Sequence, residues 1–129
     1  MNRLRRRLAS SEGFTLIELL VVIVIIGILL AIAIPSYLGF RKQAQDTAGA
    51  SNVREAVPSA ESYFASHSTY AGMTTTSLRS IDSGLSQSVT LDGTPTASAY
   101  CLQAPGQNGV TWYYAGPGGS VTTAKGSCP

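Results

Sequence analysis

The sequence predicts an α+β protein: one long N-terminal α-helix laid on a small antiparallel β-sheet of three to four strands. Three observations carry the prediction. Residues Leu16 to Ile34 form an apolar run interrupted by a single charge, Glu18. Val53, Ala56, Val57, Ala60, Tyr63 and Phe64 then recur at spacings of three and four, the period of a helix with one buried face. Beyond residue 87, short β-rich segments alternate with Gly, Pro and Asp turn signals, the pattern of an antiparallel meander.

The apolar run comes first. Its 19 residues approach the ~20 needed to span a bilayer's hydrocarbon core. A removable secretory signal peptide is the competing reading, since Ala31-Ile32-Ala33 matches an A-x-A cleavage site. The run is longer than the ~7–15 residues of an ordinary signal-peptide core. Neither reading has a use for Glu18, whose carboxylate costs ~2.5–3.5 kcal/mol to place at bilayer depth.

Charge is split along the chain. Arg3, Arg5, Arg6 and Arg7 precede the run with only Glu12 against them, which places that end in the cytoplasm under the positive-inside rule. Beyond Gly13 five basic residues face six acidic ones. That near-neutral remainder lacks the basic footprint of a nucleic-acid binder.

The stretch Gly13-Phe14-Thr15-Leu16-Ile17-Glu18 resembles the processing site of type IV prepilins and related pseudopilins. The resemblance implies that a membrane-embedded prepilin peptidase cuts after Gly13 and methylates the new amine of Phe14. It implies a division into a basic leader (1–13), a transmembrane and filament-core helix (14–35), and an amphipathic helix with a globular head (36–129). Glu18 matches the family's glutamate, which pairs with the terminal amine of an adjacent subunit. Buried charges persist when paired, and losing one partner is strongly destabilising. The pair would therefore set the axial register of an otherwise slippery apolar helix. The implied partners are other copies of the chain, the peptidase, a polytopic platform protein, an ATPase motor, and the membrane before assembly.

The helix is expected to continue past the run. From Phe14 to Ser66 there are 53 residues, ~80 Å of helix at 1.5 Å per residue. Pro35 removes a donor and crowds the Ala31 carbonyl, predicting a kink. Gly27 weakens the helix as well, and the resemblance implies that the segment from Gly27 to Pro35 extends in an assembled filament. Pro58 is expected to bend the second half or end it early.

Ser68 to Gln87 read as a connecting loop, with Leu78 and Ile81 forming a short helical turn over the core. Predicted strands cover Ser88–Leu91, Ala97–Ala104 and Val110–Tyr114, with a fourth at Ser120–Ala124. Cys101 and Cys128 are the two cysteines. In a domain outside the cytoplasm an even count suggests one disulfide, worth about 3.5 kcal/mol for its loop length. Two reduced thiols in a cytosolic protein are the alternative. The resemblance supports the bridge, because a C-terminal disulfide-bounded loop is common in type IV pilins.

Catalytic chemistry is not expected. His67 is the single histidine, and a triad through Asp82 has no support from spacing. No His/Cys set has zinc spacing, no loop matches an EF-hand, and no glycine-rich phosphate loop or other cofactor motif occurs. Calcium at Asp82 or Asp92 rests only on similarity to secretion pseudopilins. Trp112, Tyr113 and Tyr114 alternate faces of one strand, which suits a core and a surface better than a nucleobase platform. Thr74 to Ser77 read as a solvated loop, with O-glycan attachment the sharper alternative. The expectation is a structural pilin, held in the inner membrane and then polymerised into a surface filament for adhesion, motility or DNA uptake. A type II secretion pseudopilin is the nearest rival, with the terminal cysteine pair favouring the pilin. A soluble secreted binding domain released after Ala33 is the more distant one.

Overall fold

The structure, a computed structural model, describes residues 13–125 and Cys128. Helix α1 runs Leu16–His67 and helix α2 Thr75–Ile81. The strands are β1 (Thr90–Leu91), β2 (Tyr100–Pro105), β3 (Val110–Gly116) and β4 (Val121–Lys125). They form one sheet in the order β1-β2-β3-β4, every pair antiparallel. The fold is α+β, as the periodicities predict. The chain divides into two units at the Gly39–Phe40 boundary.

In the first unit, the large apolar side chains between Leu16 and Ile34 are 48–86% exposed. Among the described residues none covers them. The helix continues through Gly27 and Pro35, and an added Cβ at Gly27 would meet nothing within 4 Å.

In the second unit, α1 buries Gly49, Ala50, Val53, Ala56, Ser59, Ala60 and Tyr63. Small residues alternate with larger ones on this face and let the sheet approach closely. Pro58, expected to bend the helix or end it early, does not end it: α1 runs on to His67, and the proline is exposed. One expectation needs correction. Phe64 is 37% exposed rather than in the core; it lies at the rim, its ring 4.6 Å from that of Tyr70.

Helix α2 is set by Thr74, whose hydroxyl accepts from the Ser77 N–H at 3.1 Å while Ser77 Oγ accepts from the Thr74 N–H at 2.9 Å. This reciprocal box satisfies two otherwise orphaned donors and engages two of the four hydroxyls, Thr74 and Ser77, that the sequence offers for modification. Leu78 is fully buried beneath it, whereas Ile81 stays 44% exposed.

Strand β2 starts three residues later than predicted. Thr96 N–H donates to the Ala99 carbonyl at 2.8 Å, and the turn this closes takes residues 97–99 out of the ladder. Tyr100, Leu102 and Ala104 of β2 then face the helix, with Trp112 and Tyr114 of β3 and Val121 of β4 packed against the same core. Tyr113 pairs with Gln103 and Thr122 on the opposite face, as strand alternation requires. Gly116 stands opposite Tyr100, and a Cβ there would collide with its ring. Only glycine leaves room for the tyrosine.

Candidate functional site

Gly13, Phe14 and Thr15 precede the helix in non-helical backbone, and Phe14 is 84% exposed. Thr15 is the cap. Its Oγ1 accepts from the Glu18 N–H at 3.3 Å, and Glu18 Oε2 accepts from the Thr15 N–H at 2.8 Å and from its hydroxyl at 2.9 Å. Thr-x-x-Glu ahead of an apolar run is the sequence signature of a capping box, a role that the sequence reading left unassigned. The box matters more here than at an aqueous helix end, because lipid offers no water to free N–H groups. A carboxylate at a helix N-terminus also complements the macrodipole.

The other sequence-selected residues fall apart from this cluster. Gly27 and Pro35 lie within continuous helix. Cys101 and Cys128 are disulfide-bonded with Cα atoms 6.5 Å apart, and the Cys128 N–H donates to Asp92 Oδ2 at 2.6 Å. His67 stacks on Tyr63 with ring centroids 4.1 Å apart, its Nδ1 3.0 Å from the Tyr63 carbonyl. Asp82 accepts from the Gly84 N–H at 2.9 Å. The structure therefore assembles no triad from His67 and Asp82. Among the described residues no group of three or more His, Cys, Asp or Glu side chains is placed to hold a metal.

Two helix carboxylates fasten the head. Asp46 Oδ1 accepts from Trp112 Nε1 at 2.9 Å and from the Gln107 N–H at 3.4 Å. Glu61 accepts from Tyr100 at 2.7 Å and from Tyr70 at 2.8 Å, one phenol on each oxygen. Burial, then the bond to Glu61, pushes the Tyr70 phenol up to about 12 and that of Tyr100 higher still. Sequence periodicity put Glu61 off the apolar stripe. No local signal marks it as a clamp, because both donors come from distant segments.

A membrane-length apolar helix with a capped carboxylate at its head, joined to a helix-on-meander domain with a disulfide-tied C-terminus, defines a pilin-type filament subunit. The family model for the prokaryotic N-terminal methylation motif matches residues 8–34, across the Ala31–Ala33 site that a soluble product would need. The chain is 36% identical over 112 residues to the type IV wide pilus major component PilA4 of Thermus thermophilus, covering 84% of this chain and 83% of that protein. It is 39% identical over 84 residues to a fimbrial protein of Pseudomonas aeruginosa, covering 65% of this chain and 54% of that one. It is 36% identical over 69 residues to the type IV major pilin protein PilA of Myxococcus xanthus, covering 54% and 31%. This chain belongs to the type IV pilin family.

Proposed function

We propose that the chain is a structural subunit that enters the membrane as a precursor, loses residues 1–13, and polymerises with copies of itself into an extracellular type IV pilus. The observation carrying this reading is the apolar helix from Leu16 to Ile34, exposed along its length and headed by the Thr15–Glu18 box. So much apolar surface is unstable in water and needs lipid first and other helices afterwards. Similarity to relatives named as pilus and fimbrial components supports the pilin over the pseudopilin. A structural subunit needs no catalytic centre.

Processing follows from position. Gly13 and Phe14 sit ahead of the first helical turn, where a prepilin peptidase can reach the bond between them and methylate the Phe14 amine. Glu18 then has two roles: it closes the cap within its own chain, and it offers a negative charge to the cationic terminus of a neighbour. The platform protein and ATPase supply the work of extraction. Gly27 and Pro35 bound the segment that yields when the filament is pulled.

Substitution separates the two roles of Glu18. Glu18→Gln keeps a capping box but removes the charge, whereas Glu18→Ala removes both. Both variants are expected to insert in the membrane and to fail in filament incorporation. Wild-type pili from Glu18→Gln would overturn the registration role. Intact mass of membrane and filament material is expected to start at methylated Phe14; a start at Met1 or Ile34 would overturn the processing.

A further inference from the structure

Arg41 and Lys42 are adjacent, exposed basic residues on α1, seven and eight positions beyond Ile34. An acid four residues from a lysine on a helix ordinarily pairs with it, and Asp46 stands in that position. The structure gives Asp46 other work: its carboxylate is turned to the Trp112 indole and the Gln107 N–H. The local acid is thus held by the sheet, and two cations remain facing solvent with no acidic residue between Ile34 and Gln45.

We propose that Arg41 and Lys42 form a binding site for anionic phospholipid headgroups at the membrane face opposite the arginine leader. The proposal rests on the reading that Leu16 to Ile34 spans a bilayer. Measured along the helix, the two Cα atoms lie ~10–12 Å beyond Ile34. Helical side chains lean toward the N-terminus, here the membrane end, and long basic side chains snorkel to the interface. Their charged ends therefore return to the headgroup layer, about 5–8 Å thick on each side of the hydrocarbon. Phe40 beside them is 72% exposed and adds an apolar contact at the acyl boundary. The site also outlasts processing. Removing residues 1–13 takes away all four leader arginines, which leaves Arg41 and Lys42 as the basic side chains nearest the membrane.

The test reconstitutes the full-length chain in phosphatidylcholine vesicles carrying a trace of spin-labelled lipid. Boundary occupancy is compared for labelled phosphatidylglycerol and labelled phosphatidylcholine. The wild-type chain is expected to favour phosphatidylglycerol by more than about fivefold, the effect of a single basic side chain at an anionic surface. R41Q/K42Q is expected to lower the ratio to the part that the four leader arginines hold at the other face. R54Q, farther along the same helix, is expected to leave it unchanged, and R3Q/R5Q/R6Q/R7Q to retain the part held by Arg41 and Lys42. A wild-type ratio near one overturns the proposal, as does a preference that R41Q/K42Q leaves undiminished or that vanishes with the leader arginines. A chain that fails to float with either vesicle overturns the spanning reading, and the proposal with it.

Discussion

The hydroxyl of Tyr100 donates a 2.7 Å hydrogen bond to Glu61, 39 residues earlier in the chain. Tyr70 donates to the other oxygen of the same carboxylate at 2.8 Å. One helix side chain thereby holds strand β2 and the segment leading into α2. Tyr70 and Tyr100 are almost fully buried, so neither hydroxyl has water to fall back on.

Removing the acceptor is therefore expected to be costly. Glu61→Ala strands two buried donors at roughly 1–3 kcal/mol each, so about 2–6 kcal/mol of head stability is expected to disappear. Glu61→Gln keeps a neutral acceptor and is expected to lose clearly less. Urea unfolding of a fragment starting at Phe40 measures both. A Glu61→Ala loss below about 1 kcal/mol would contradict the clamp.

Two glycines of α1 are expected to respond with opposite signs. An added Cβ at Gly39 meets nothing within 4 Å, so Gly39→Ala gains helix propensity, about 1 kcal/mol. At Gly49 the same atom would sit 2.6 Å from the Pro105 carbonyl oxygen and 2.9 Å from Trp112 Cδ1. Gly49→Ala is expected to cost about 1–3 kcal/mol through overpacking against backbone. Thermal unfolding of the full chain in detergent ranks the pair.

The phenols also set an alkaline limit. Tyr70 and Tyr100 titrate above their ordinary value of 10 in the folded head, chiefly from burial and then from the Glu61 bond. Above pH 10 the unfolded chain gives up phenolic protons that the folded chain keeps, so linkage lowers stability as pH rises. The contribution is whole below pH 10 and is lost through about 12 for Tyr70. Unfolding midpoints are expected to be flat in this respect from pH 8 to 10 and to fall beyond it. Tyrosinate absorbance from Tyr70 and Tyr100 is expected to appear only above pH 10.

Loss of the disulfide is expected to weaken the head without altering the apolar helix. Its ends are 27 positions apart, for which chain entropy gives about 3.5 kcal/mol. C101S/C128S is expected to unfold that much more easily while inserting normally into membranes. An unchanged unfolding midpoint would show that the link carries no stability.

The sequence reading and the structure part company over particular residues. The helical period located Val53, Ala56, Ala60 and Tyr63, because a buried helix face is a local pattern. It misplaced Phe64 and set aside Glu61, because periodicity ranks residues by polarity and cannot see what stands opposite. Turn signals indicate an antiparallel meander of three to four strands, and the sheet has four in sequential order. The start of β2 shifted because Thr96 and Ala99 form a turn whose strength was not visible from residue type alone. The Thr15–Glu18 box, by contrast, is a local pattern, Thr-x-x-Glu ahead of an apolar run.

What the residues settle by themselves is local in origin: a span of membrane length, a capped start, an amphipathic continuation and a meander of short strands. Each depends on neighbours within a turn or a hairpin, so composition and spacing suffice. Tertiary structure alone decided that Glu61 and Asp46 are fasteners and that Arg41 and Lys42 are left facing outward. The reason is that a carboxylate's value depends on which donor reaches it, and Tyr100 and Trp112 arrive from 39 and 66 positions away.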